Sequence, residues 1–177
     1  HPQEVSSLLN ELNEKHSKEL YYAIRNIDRV SVGTNRYQKL DDISNLLTPC
    51  EAAARFLYLN KTCFNAIYRV NKGGLFNVPV GTSLRKDFSD HGALLAAAEV
   101  LSGANIQHAP YQAVIDNAQP GDLVYLDPPY EPLQKGGNFT KYTATGFSRD
   151  DQVELKRACD TLHSRGVNFM LSNSDAP

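Results

Sequence analysis

The chain has 177 residues, 41% of them hydrophobic and 21% charged, a composition that can build a real core and excludes disordered and collagen-like classes. Eighteen Lys and Arg against twenty Asp and Glu leave a net charge of -2, which argues against coating nucleic acid through bulk positive charge. The longest apolar stretch, Ala93 to Val100, is broken by Glu99 and is too short for a bilayer, and three scattered cysteines suggest neither zinc nor a disulfide framework; a cytoplasmic chain with no membrane partner is expected.

In chain order, Val5, Leu8, Leu9 and Leu12 recur at helical spacing and Leu20, Ala23, Ile24 and Ile27 continue it, which predicts helix over residues 4–29 with a polar break. Residues 30–47 read as polar and mixed. Pro49 before Glu51-Ala52-Ala53-Ala54 opens a helix whose stripe of Phe56, Leu59, Cys63 and Ile67 runs to about Tyr68. Arg69-Val70-Asn71 and Leu75-Phe76-Asn77-Val78 then flank Lys72-Gly73-Gly74, a β-hairpin pattern whose glycines supply the positive φ of the turn. A helix over Ala93 to Leu101 ends at Gly103, and Asn105 to Gln112 reads as a short strand.

From Gly121 the pattern sharpens. Leu123-Val124-Tyr125-Leu126 is a continuous apolar run, as for a strand covered on both faces in a parallel sheet. Ser148 caps a helix with Asp150 and Asp151 in its first turn, Leu155, Ala158, Cys159 and Leu162 form its apolar stripe, and Gly166 stops it. Val167 to Leu171 is a second buried strand. Strand, helix and strand in this order make a right-handed βαβ unit, which places ligands at the carboxyl ends of its strands. No Met precedes His1 and a strand closes the chain, so both ends read as cuts through a longer protein.

Charge is unevenly distributed. Between Ala52 and Lys86 there is no acidic residue, and Arg55, Lys61, Arg69, Lys72, Arg85 and Lys86 give that segment a net +6 against -8 elsewhere. Such a division suggests a polyanion-binding surface attached to something with a different task. The other task has a visible candidate in Asp127-Pro128-Pro129-Tyr130, directly beyond the Leu123 to Leu126 strand. Two prolines stiffen the corner and remove two amide donors, so a carboxylate and a bare carbonyl can accept both hydrogens of one amino group, with a flat tyrosine ring beside it. Asp-Pro after a strand is also ordinary turn chemistry, and a nearby tyrosine is often packing. His16, His91, His108 and His163 are scattered singly, with no spacing that makes metal ligands.

Set together, several blocks resemble the Dam-type DNA adenine methyltransferases, in which the recognition segment precedes the catalytic tetrapeptide. They are Phe56-Leu57-Tyr58-Leu59-Asn60-Lys61-Thr62-Cys63-Phe64-Asn65 with Tyr68-Arg69-Val70-Asn71, then Phe76-Asn77-Val78-Pro79-Val80-Gly81, Asp127-Pro128-Pro129-Tyr130, Asn138-Phe139-Thr140-Lys141-Tyr142 and Leu171-Ser172-Asn173. The resemblance implies an α/β fold: a partial Rossmann-like methyltransferase core with a mostly parallel sheet over residues 101–177, and a mostly helical recognition domain over 1–100 carrying a β-hairpin near 69–79. It implies transfer of a methyl group from S-adenosylmethionine to the N6 amino group of an adenine flipped out of double-stranded DNA, within a target such as GATC.

Carried over by position, Asp127 and the Pro128 carbonyl hold the amino group, Tyr130 stacks on the base, and Asp127 and Tyr111 lie against the methyl donor. Phosphate contacts fall to Arg55, Lys61, Arg85 and Lys86, and base-edge contacts to Arg69, Asn71, Lys72 and Asn77. No metal is implied, and a monomer is expected. The family's glycine-rich cofactor loop is missing from these residues, as is the end of its core. Two other readings stand beside this one: a DNA-binding remnant without catalysis, and methyl transfer to another amino group, on cytosine, RNA or a protein amide.

Overall fold

The structure is a computed structural model of the chain and describes residues 1–34, 36–40, 43, 45–82, 89–130 and 147–174. The chain forms two compact units, His1–Ala104 and Asn105–Pro177. Both mix helix with small sheets, a two-stranded antiparallel one in the first and a two-stranded parallel one in the second.

The first unit opens with α1 (Pro2–Glu14) and α2 (Lys18–Arg25). The break between them is a helix start: Ser17 lies outside the helix and its hydroxyl accepts from the Leu20 amide at 3.1 Å. Next comes a hairpin of β1 (Arg29–Gly33) and β2 (Arg36–Lys39), with Arg29 opposite Lys39 and Ser31 opposite Tyr37. This hairpin falls largely within the stretch 30–47, which reads from sequence only as polar and mixed. Its strands bury almost nothing, so the apolar alternation that marks a half-buried strand is weak there.

Helix α3 (Pro49–Thr62) begins with a reciprocal cap, Thr48 accepting from the Glu51 amide and Glu51 accepting from the Thr48 amide at 2.7 Å. It stops six residues short of the expected Tyr68. Cys63 leaves the helix to bridge Val80, and Asn65 and Ala66 then take positive φ of 58° and 52°, a conformation no helix can continue through. The Lys72-Gly73-Gly74 turn is present, closed by a single bridge between Val70 and Phe76; only Gly74 has positive φ, at 71°. Helix α4 (His91–Val100), capped by Asp90, completes the unit. Val5, Leu9, Tyr21, Tyr58, Leu59 and Phe76 form the core, and the buried Tyr21 hydroxyl donates to the Val78 carbonyl at 3.0 Å.

In the second unit the strand expected over Asn105 to Gln112 is replaced by exposed irregular chain leading into a short helix, α5 (Gln112–Asn117), so Tyr111 sits at a helix start rather than at a strand end. Strands β3 (Leu123–Leu126) and β4 (Asn168–Leu171) pair in parallel, Leu123 beside Asn168 and Leu126 beside Leu171, joined by α6 (Arg149–Ser164). Helix α6 covers one face only. Val124 and Leu126 are buried against Leu155, Cys159 and Leu162, while Leu123 and Tyr125 are 65% and 62% exposed, contrary to the two-sided burial expected of both strands. Ser148 and Asp151 cap α6 reciprocally. At its other end Gly166, φ 71°, lets the Val167 amide reach the Leu162 carbonyl at 3.0 Å, the bonding of a left-handed helix stop.

Candidate active site and nucleic-acid-facing residues

Strand β3 delivers Asp127-Pro128-Pro129-Tyr130 to the carboxyl edge of the parallel pair, where the helix connection leaves an open corner. The ladder runs one step further, with the Ser172 amide donating to the Leu126 carbonyl at 3.0 Å, so the residue after β4 stands beside Asp127. The Ser172 hydroxyl donates to Asp127 Oδ1 at 2.5 Å, which fixes the rotamer of an exposed carboxylate. One turn into α6, Gln152 Nε2 donates to the Pro129 carbonyl at 3.0 Å, and Asn173 Nδ2 donates to Gln152 Oε1 at 3.0 Å. Because the Gln152 amide is bonded at both ends, the peptide plane entering Tyr130 is held from α6 and from the end of β4 together.

Asp127, Pro128 and Pro129 line an opening of about 310 Å³ with Tyr111, Phe147 and Leu155. Its wall is aromatic and aliphatic apart from the one carboxylate. The Tyr111 phenol is pushed above its usual range, first by burial and then by the carboxylates of Glu154 and Asp151, so at neutral pH it stays an uncharged ring. Tyr130 is 45% exposed. The carboxylate therefore stands at an accessible mouth.

The residues expected to face nucleic acid divide three ways. Arg55 is not a surface cation: it is 9% exposed, its Nε donates to the Ile24 carbonyl and its Nη2 to the Arg25 carbonyl, both at 2.9 Å, and Nη2 pairs with Asp28 at 2.9 Å. Arg29 binds the same buried carboxylate at 2.8 Å, so the guanidinium of Arg55 is consumed in holding α2, α3 and the base of the hairpin. Lys61, Arg69, Lys72 and Asn77 are exposed. Asn71 is exposed too, but its Oδ1 accepts from the Gly73 and Leu75 amides at 3.0 and 3.1 Å, which makes it first a builder of the turn. Arg85 and Lys86 lie outside the described residues, as does the Asn138 to Tyr142 block. Tyr58 and Phe76 are fully buried, and Tyr68 stacks on Phe76 at 4.6 Å.

The family profile described as "D12 class N6 adenine-specific DNA methyltransferase" matches residues 2–177. The chain belongs to this family. Curated relatives of the D12 chain include the type II methyltransferase M1.LlaDCHI of Lactococcus lactis subsp. cremoris, 36% identical over 99% of this chain and 59% of that protein. The type II methyltransferase M.MjaIII of Methanocaldococcus jannaschii is 36% identical over 97% of the chain and 56% of its own length. A DNA adenine methylase of Vibrio cholerae is 40% identical over 68% and 43% respectively. The D12 chain thus spans less than two thirds of the relatives it matches.

Sequence reasoning passed over one member of the corner. Gln152 lies four residues after the capping serine, which turns it toward the end of β3, and that spacing was the available signal. From sequence, Ser172 and Asn173 end a strand on the same sheet edge as Asp127, which suits a supporting role and ordinary loop polarity equally; the parallel register shows what they touch. Among the described residues no helix is long and apolar enough to cross a membrane.

Proposed function

We propose that this D12 chain carries the catalytic corner and part of the DNA-reading surface of a site-specific adenine methyltransferase acting on double-stranded DNA. The observation that carries the proposal is the exposed Asp127 carboxylate, oriented by Ser172 at the mouth of an aromatic-lined opening and followed by two prolines. An exocyclic amine is a poor nucleophile because its lone pair is delocalised into the base. Asp127 and the Pro128 carbonyl accept its two hydrogens and so favour a pyramidal nitrogen with the lone pair directed outward. This is catalysis by positioning and charge stabilisation. Tyr130 stacks on the extruded adenine. The surplus proton passes by way of the exposed carboxylate to water.

S-adenosylmethionine, when bound, supplies the electrophilic methyl group. The residues present fit it: Tyr111 and Phe147 offer flat apolar surface to its purine, and Asp127 offers the single negative charge that suits a sulfonium. On this reading residues 105–177 belong to a Rossmann-like core and 1–104 to a helical recognition domain, with Lys61 on phosphates and Arg69, Lys72 and Asn77 toward base edges, working as a cytoplasmic monomer on GATC. The test is Asp127→Ala in the full-length protein, assayed by transfer of labelled methyl groups to duplexes with and without GATC. Transfer falls by several orders of magnitude while duplex affinity persists; retained transfer removes the role given to Asp127.

A further inference from the structure

We propose that the β1–β2 hairpin is a second DNA-gripping arm, in which Arg36 and Lys39 bind backbone phosphates beside the 69–79 turn. This rests on the function proposed above and adds a contact surface to it. Four observations carry it.

The hairpin is placed with care and yet buries almost nothing. Its base is tied down by the Arg29 and Arg55 pairs to the buried Asp28 and by the Leu40 amide donating to the Asp28 carbonyl at 2.9 Å. Beyond that base every described residue of both strands is exposed, including Val30, Val32 and Tyr37 at 44%, 54% and 47%. Two strands without a buried face are marginal in water, so such an arm gains its contacts from something outside the fold.

Its charge has one sign. From Arg29 to Leu40 there are three basic residues and no acidic one. Arg29 is occupied by Asp28, whereas the Arg36 side chain makes no hydrogen bond or ion pair among the described residues, its main chain pairing with Gly33.

The arm and the turn share a groove. A cavity of about 530 Å³ lies between them, lined by Arg25, Arg36, Tyr37, Asn71 and Asn77 with no carboxylate. Lys39 crosses to the turn: its Nζ lies 3.5 Å from where a Cβ on Gly74 would stand, so the missing side chain makes room for the lysine.

The dimensions also suit the partner. A strand of five residues is about 17 Å long and its partner lies about 4.8 Å away, a ribbon that follows a duplex groove about 12 Å wide. Grooves lined by one sign of charge concentrate the opposite charge, and duplex DNA presents phosphates at the spacing two cations on one ribbon can meet.

The experiment uses the full-length protein and the variants Arg36→Ala/Lys39→Ala, Arg36→Glu and, as a control, Lys15→Ala on α1. Affinity for a duplex containing the target site is measured across salt concentrations, with methyl transfer and the thermal midpoint alongside. The double variant loses about two units of the slope of log affinity against log salt, roughly 0.9 per phosphate contact. Its KM for DNA rises tenfold or more, while kcat at saturating DNA and the thermal midpoint hold. Arg36→Glu is weaker still, and Lys15→Ala matches wild type. Wild-type binding and transfer with an unchanged slope and KM in the double variant overturns the arm alone. A wild-type protein without duplex affinity overturns the proposed function and the arm together.

Discussion

Replacing Arg55 by Met separates the two roles that a cation in a basic segment can have. In the fold its guanidinium donates to two main-chain carbonyls and to Asp28, all at 2.9 Å, and Asp28 has 9% of its side chain exposed. Methionine fills much of the volume and supplies none of the donors, so the Ile24 carbonyl loses its guanidinium partner, and the Arg25 carbonyl and Asp28 are left with Arg29. Breaking a buried pair by removing one member costs about 3–5 kcal/mol. For a urea slope of about 2 kcal/mol/M, that moves the unfolding midpoint down by about 2 M. Arg55→Lys keeps the charge but not the planar fork and recovers only part of the loss. The assay is urea unfolding followed by helical circular dichroism, paired with a salt titration of DNA binding where each variant is folded. An unchanged midpoint together with a binding slope reduced by about 0.9 would refute the structural role and restore Arg55 as a phosphate contact.

Gln152→Ala frees the Pro129 carbonyl and the Tyr130 peptide, so kcat for methyl transfer falls about 100-fold, the scale of an ångström-sized misplacement, while DNA affinity is unchanged; a kcat within a factor of two of wild type counts against the relay. Gly81→Ala sets a Cβ 3.0 Å from the Thr62 carbonyl oxygen and 3.1 Å from that of Cys63, costing about 1–3 kcal/mol in urea unfolding, whereas Gly103→Ala, with open space around it, is near neutral; equal effects at both sites would show that the close approach is not tight. Burial raises the Tyr58 phenol from 10.0 to about 12, so the unfolded chain ionises first: stability is level below pH 10 and declines between pH 10 and 12, read as a falling urea midpoint. Burial lowers His16 below 6.5, so its share of stability is present above pH 6.5 and is lost as pH falls through the lowered value; a midpoint flat across both windows contradicts these two assignments.

What the sequence disclosed follows from where side chains meet the core. Helix α6 was readable from end to end because Ser148, its apolar stripe and Gly166 each act locally, and β3 was readable because four apolar residues precede a proline pair. The β1–β2 hairpin escaped notice for the opposite reason, since exposed strands carry no burial pattern. Helix α3 was drawn too long because Ile67 continues its stripe by coincidence, after the chain has already turned out at Asn65 and Ala66. Arg55 could not be assigned from charge alone: its counter-ion lies 27 positions earlier, on a different element. At the corner, the carboxylate and prolines were visible as a word; the spacing of Gln152 from Ser148 gives its direction, but its partner Asn173 is brought beside it only by the parallel pairing.

The corner's shape is jointly owned by three pieces of chain: Asp127 takes its rotamer from a serine beyond β4, and the peptide before Tyr130 takes its orientation from a glutamine on α6 that β4's end steadies in turn. On the proposed function, loosening β4 alone would therefore silence the chemistry and leave the cationic residues of the first unit as they are. On that same proposed function, such a molecule would still occupy its target and shield it from an intact copy, so damage at that one edge would produce a competitor of the active form rather than a bystander.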